Sequence, residues 1–134
     1  MLELVSIADA CAWVALDPPD SDGGDQRHRM LEIAIRGASE AVRGWLKDDW
    51  RLYLELRDTD GEIVTDSDGD PVPATDSNGD PITHPSVTEA VLFEVAMRFR
   101  FRDESGGDND SGAGYVLSKT ATAMLAARRK PTVR

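Results

Sequence analysis

Aspartates recur in this sequence at spacings that invite a metal. Asp58-Thr59-Asp60-Gly61 and Asp66-Ser67-Asp68-Gly69 each gather two carboxylates and a glycine within four residues, and the run TDSDGDP at 65–71 returns almost unchanged as TDSNGDP at 75–81. A calcium loop of the EF-hand type needs D-x-[DN]-x-[DN]-G followed by a bidentate acid at its twelfth position. In both clusters the glycine arrives two residues too early, and no helical pattern flanks either one. Turn chemistry accounts for Asp, Asn and Gly here without a metal. No calcium requirement is expected, and no residue is assigned as a metal ligand.

The other reactive side chains are sparse. His28 falls in the first turn of a helical pattern with no acid or cysteine at ligand spacing, and His84 precedes Pro85 at a helix start. Both read as structural. Cys11 is the single cysteine, so an internal disulfide and a multi-cysteine metal site are excluded; it sits at helix spacing in an apolar stretch, as a buried inert thiol does. Gly112-Ala113-Gly114 matches only the opening of a dinucleotide fingerprint, with Leu117 in place of the last glycine, and Ser111 and Ser118 lack a base nearby in sequence. No nucleophile elbow or phosphate loop occurs. With no constellation of reacting groups, the chain is expected to be no enzyme, with no catalytic residue and no cofactor.

Charge says more than reactivity. The 134 residues carry a net charge of −10, which argues against general nucleic-acid binding. The charge is uneven: residues 57–80 hold eight acids and one arginine, whereas residues 119–134 hold five bases and no acid. Such asymmetry suggests contacts with partners of different charge, the alternative of equal weight being a soluble loop and a solvated tail. Arg98, Arg100 and Arg102 form a basic patch followed at once by Asp103 and Glu104. It reads as a salt-bridge cluster within or between subunits; Arg98 and Arg102, with Asp60 and Gly61, are the expected contacts to a neighbour. No apolar run is long enough to span a membrane and no signal peptide pattern is present, which points to synthesis in the cytoplasm.

These residues must be positioned by a mainly α fold. The central element is read at residues 86–102, SVTEAVLFEVAMRFRFR. Ser86 and Glu89 have capping-box spacing. Val87, Val91, Val95 and Phe99 recur every four residues beside a second row of Ala90, Phe93 and Met97, a face too wide for a surface helix. Glu94 and Arg98 are expected at its polar edge. Before it, residues 6–16 read as a short helix capped by Ser6. Residues 26–48 read as a long one capped by Asp25, with Leu31, Ala34, Ile35, Ala38, Val42, Trp45 and Leu46 buried, and Ser39, Arg36 and Glu40 among the wet residues. A last helix is expected at 115–127, stopped by Pro131. From Trp50 the period changes to two: Leu52, Leu54 and Leu56 alternate with polar residues, and Asp60-Gly61 signals a turn. The expectation is one domain over residues 1–134: a small bundle of four helices with a β-hairpin insertion, residues 51–65 within a turn-rich excursion at about 50–82, between the second and third helices.

This order of elements resembles the head–tail connector (adaptor) proteins of long-tailed bacteriophages. The resemblance rests on Leu4-Val5-Ser6 before a short helix, on Ala38-Ser39-Glu40-Ala41-Val42-Arg43-Gly44-Trp45-Leu46 in a long one, on Pro85 with Val87, Ala90 and Val91 opening the next, and on Arg128, Arg129 and Lys130 closing the last. It covers residues 2–49 and 83–131. Segment 57–82 is longer than the family's pattern, and its role is not carried over. The resemblance implies a structural virion protein at the neck, assembling as a dodecameric ring on the portal protein. Such a ring extends the channel for double-stranded DNA, which passes without sequence-specific binding, and presents a surface to the next connector, stopper or tail protein. It also implies an arm that reaches into the portal, here Arg128, Arg129, Lys130, Pro131, Thr132, Val133 and Arg134. The competing readings are a calcium-dependent or other small protein-binding module built on the Asp-rich loop, and a small regulatory or toxin–antitoxin-type protein acting on nucleic acid.

Overall fold

The computed structural model describes residues 2–19, 24–103 and 117–129, with side chains described through residue 100 in the second stretch. Four helices follow in order: α1 (Ile7–Trp13), α2 (Gln26–Leu46), α3 (Pro85–Asp103) and α4 (Lys119–Leu125). A 3₁₀ turn, Asp49–Leu52, follows α2, and another, Ala126–Arg128, extends α4. The glycine-rich loop expected after α3, with Gly112, Gly114 and Ser111, falls on residues outside those described, as do Tyr115, Val116 and residues 130–134.

Each helix begins where a side chain can take up its unpaired N–H groups. The Ser6 hydroxyl accepts the Asp9 N–H, and the Ser118 hydroxyl accepts that of Ala121. Asp25 accepts from Arg27 and His28, while the His28 Nδ1 accepts the Asp25 N–H in return at 3.1 Å. His28 thus fills the place that a glutamate takes in a capping box, and its Nε2 donates to the Asp17 carbonyl at 2.7 Å. The start of α3 departs from expectation. Its first turn is capped by His84, whose Nδ1 accepts the Ser86 N–H and whose carbonyl accepts from Val87 and Thr88. Pro85 stands at the first helical position, where a missing N–H costs nothing. The helix therefore starts one residue early, and Ser86 is inside it rather than ahead of it. α1 is shorter than expected because Ala15 turns left-handed, at φ 59°.

The core is one contiguous cluster, and α3 runs through it. Val87, Ala90, Val91 and Val95 are fully buried, and α3 packs against α1, α2 and α4. Burying each of those valines contributes about 1.5–3 kcal/mol. From α2, Leu31, Ile35, Ala38, Val42 and Leu46 meet it, with Ala121 and Leu125 from α4 and Ala10 and Cys11 from α1. Burial pushes the Cys11 thiol up, which keeps it protonated.

Two residues expected on wet faces are inside. Ser39 is fully buried because its hydroxyl accepts the Leu4 N–H at 3.0 Å and anchors the segment leading into α1. Glu94 is only 2% exposed. Its Oε2 accepts the Ser118 N–H at 2.8 Å, tying α3 to the start of α4, with the Arg98 Nε 3.7 Å from its Oε1.

The β-hairpin insertion expected between α2 and α3 does not form: no β-strand occurs among the described residues. The segment makes isolated antiparallel bridges instead, Tyr53 with Thr83, Glu55 with Pro73, Arg57 with Ile63, Thr65 with Pro71 and Thr75 with Pro81. The physical reason lies in how often the chain turns. Three turns of one design interrupt it: Asp58, Asp66 and Asp76 each accept two backbone N–H groups through Oδ1, from the residues two and four further on. Each turn closes on a glycine in the left-handed region, Gly61, Gly69 and Gly79, at φ 82°, 85° and 84°. The pieces between turns are too short to pair along their length with one partner, so the shorter two (63–65 and 81–83) each pair with two others and the longer two (53–57 and 71–75) with three.

The result is a pair of closed hydrogen-bond rings. In the outer ring Leu56 donates to Val72, Val72 to Val64 and Val64 to Leu56, at 2.8–2.9 Å. In the inner ring Leu54 donates to Ile82, Ile82 to Ala74 and Ala74 to Leu54, at 2.7–2.9 Å. Every ring residue is aliphatic. Three-cornered pairing satisfies backbone groups that a two-stranded ribbon would leave open on both edges.

Glu94 supplies a test of the core. Burial raises its pKa above the ordinary glutamate value, against the Ser118 hydrogen bond and the Arg98 charge, so the folded protein holds this proton more tightly than the unfolded chain. Its contribution therefore favours folding as pH falls through the window just above 4.5. Glu94→Leu, which leaves the Ser118 N–H without an acceptor, should cost about 1–3 kcal/mol in urea unfolding at pH 7. Glu94→Gln keeps an acceptor and should cost clearly less.

Candidate protein–protein interfaces

Three places concentrate the residues that charge and exposure single out: the insertion, its junction with the end of α4, and a groove on α3.

The insertion presents acid and apolar surface together. Asp58, Asp60, Glu62, Asp66, Asp68, Asp70, Asp76 and Asp80 are all exposed. So are Leu54, Leu56, Ile63 and Ile82, with Leu56 39% exposed. The rings are held through backbone groups, and more than a third of the surface of each of these aliphatic residues stays exposed. Asp60 and Gly61, expected as neighbour contacts, sit at the first turn, where Asp60 also donates its N–H to Asp58. The carboxylates that begin the turns are occupied by N–H groups. Among the described residues no group of His, Cys, Asp or Glu is placed to hold a metal ion.

At the junction, Arg128 is folded onto the body. Its Nη1 meets the Glu55 Oε2 at 2.7 Å, its Nη2 donates to the Tyr53 carbonyl and its Nε to the Arg51 carbonyl. Arg51 answers by donating to the Arg128 carbonyl at 2.8 Å. The Arg128 and Glu55 side chains are 13% and 15% exposed. A guanidinium is suited to this work, since its planar fork can serve three acceptors at once. Arg129 also lies on the body, over the Trp45 ring at 4.3 Å. Two residues of the expected arm are thus engaged within the chain, and the rest of it, Lys130, Pro131, Thr132, Val133 and Arg134, lies outside the described residues.

The groove runs along the outer side of α3. Phe93, Ala96, Met97 and Arg100 are one stripe of that helix, at i, i+3, i+4 and i+7. With Trp13, Val14 and Ala15 from the end of α1, and with Arg27 and Phe99, they line an open groove of about 540 Å³. Trp13 is 47% exposed, and Arg27 lies over the Phe99 ring. Arg98 does not belong to this stripe. It lies beside Glu94 and reaches toward Gly37 of α2. The side chain of Arg102 is outside those described. Sequence reasoning placed Phe93 and Met97 in the core; their i, i+4 spacing with Ala96 between them was the available signal for a separate stripe.

The junction is sensitive to acid. Burial works against ionised Glu55, but the Arg128 hydrogen bond, its own N–H and the Arg128 charge hold its pKa below the ordinary glutamate value. Burial, and then the Arg128 charge, hold His84 below the ordinary histidine value, with Glu55 opposing. His84 is therefore neutral near pH 7 and free to accept the Ser86 N–H. Both depressed pKa values act in one direction: the unfolded chain takes up these protons first, so the stability they give is present above about pH 6.5 and is lost as pH falls, first through His84 and then through Glu55. Arg128→Ala should cost on the order of 3 kcal/mol, the expense of leaving a largely buried Glu55 unpaired. It should also speed hydrogen exchange at Leu54, Ala74 and Ile82 more than at Val91 or Val95. Wild type at pH 5, corrected for intrinsic exchange, should shift in the same direction relative to pH 7.

Comparison with protein-family models, with curated proteins and with solved structures finds no match to this chain.

Proposed function

We propose that this chain is a non-enzymatic structural protein of a phage virion neck, a head–tail connector that assembles as a ring on the portal. There it would extend the DNA channel and offer a docking surface to the next connector, stopper or tail protein. The observation that carries this reading is the element order: a short capped helix, a long helix, an insertion, a second long helix through the core, and a short helix ending in basic residues. That is the order on which the resemblance rests. The net charge of −10 adds to it, since a wall of the same sign as DNA does not retain a passing duplex.

Attachment to the portal is assigned to the basic residues beyond Arg129, because Arg128 and Arg129 are occupied at the body. Cutting the chain after Arg129, which keeps both of these contacts, separates attachment from folding. The shortened protein should keep the wild-type melting temperature within a few degrees and lose at least tenfold in affinity for purified portal assemblies, about 1.4 kcal/mol. Sedimentation with portal assemblies at one fixed salt concentration checks both. Equal binding by the cut and full chains would move attachment to the helical face. No binding by the full chain would end the connector reading.

A further inference from the structure

The groove on α3 and the insertion are complementary in both charge and polarity. The groove is lined by apolar side chains, among them Trp13, Phe93, Ala96 and Met97, and by the cationic Arg100 at its α3 end. The insertion carries exposed Leu54, Leu56 and Ile82 among eight exposed acids. A volume of about 540 Å³ has room for several aliphatic side chains. Within one chain the two surfaces do not meet: no insertion residue lines the groove. The insertion enters α3 at Pro85, and Arg100 lies fifteen residues further on, about 22 Å along the helix.

We infer that the groove receives the insertion of a second copy of this chain, with Leu54 and Leu56 over Phe93 and Met97, and with Asp60 and neighbouring acids against Arg100. Net repulsion between two chains of charge −10 does not forbid this. The Debye length at physiological salt is about 8 Å, so charges elsewhere on the surface are screened and the facing groups decide. Donor and acceptor surfaces are different patches, so the contact is heterologous. Each copy gives its insertion to one neighbour and takes that of another, which generates a ring when the rotation closes and a filament when it does not. The contact names how subunits of the proposed ring would meet, and rests on that reading only for its biological setting; it needs no portal and is tested without one.

The test uses two full-length variants, Met97→Glu/Arg100→Glu in the groove and Leu56→Lys/Asp60→Lys in the insertion, each checked by circular dichroism and thermal melting. Should the double groove variant fold poorly, Arg100→Glu alone replaces it. In sedimentation velocity at 0.15 M salt and up to 1 mM protein, wild type should self-associate progressively with concentration. Each variant alone should require at least tenfold more protein to do so. An equimolar mixture of the two variants should form a dimer and stop there: the groove variant still has an intact insertion, the insertion variant an intact groove, and each can be used once. A wild-type chain that stays monomeric at 1 mM overturns the inference while leaving portal binding standing. Undiminished association of either variant overturns it too, and so does a mixture without dimer, which would point to groove-to-groove pairing or to a different partner.

Discussion

A helix that is apolar on nearly every side cannot stand at a surface, and α3 is such a helix. That one constraint organises the molecule. Residues 87, 91 and 95 need a neighbour on one side and 90 and 99 on another, so α1, α2 and α4 must all come to it. One long helix and two of seven residues each do not close around a fourth completely. α1 ends at Trp13, where Ala15 turns the chain away, and the stripe from Phe93 to Arg100 lines a groove with Trp13, its Phe93, Ala96 and Met97 only half-buried among the described residues. The groove is thus a consequence of how α3 is covered, and the same apolar character that forces burial elsewhere leaves an adhesive stripe here.

Placing α3 at the centre also dictates where polar groups have to go inside. Glu94 is costly to bury, and its raised pKa expresses that cost. It is tolerated because the Ser118 N–H, just ahead of α4, needs an acceptor, and the Glu94 carboxylate supplies it. Ser39 does the same for the chain entering α1. Arg128 does it at the other end, gathering the carbonyls of Arg51 and Tyr53 and the carboxylate of Glu55 into one site. In each case a buried side chain from one element satisfies the backbone of a segment that has no regular partner of its own.

The legible part of the fold was the part governed by helical period and capping. Ser6 and Asp25 head their helices as their residue types require, and the buried face of α2 from Leu31 to Leu46 follows its spacing. What was not legible depended on tertiary partners. Ser39 and Glu94 look like surface residues until the N–H groups that they accept are known. His84 caps α3 through a ring nitrogen, a role that competes in sequence with the more familiar Ser86–Glu89 spacing. In the insertion, period two was present in Leu52, Leu54 and Leu56, but period reports only that alternate residues are alike. It says nothing of whether they face one partner or two. The groove was hidden for a similar reason: Phe93 and Met97 fit a core row, and α1 ends at Trp13 with both of them half-buried among the described residues.

The turn spacing in the insertion did encode its form. The unit D-x-[DN]-G-[DE] occurs at 58–62, 66–70 and 76–80, with intervals of eight and then ten residues. The interval of eight leaves one ring residue, Val64, between the first two turns. The interval of ten leaves two, Val72 and Ala74, which serve the outer and inner rings in turn, with Pro73 between them paired to Glu55. Two extra residues in an extended chain advance it by about 6.6 Å and restore the direction in which the backbone groups point. The first segment, with Leu54 and Leu56, does the same. The two long segments therefore run through both rings, and the two short contributions, Val64 and Ile82, complete one corner each. If the second interval were also eight, no residue would remain to take the Ala74 place, and the inner ring could not close. A change of two in a repeat spacing thus separates a three-cornered stack from a simple meander, and the stack leaves Leu54, Leu56, Ile63 and Ile82 partly exposed, where a neighbour can use them.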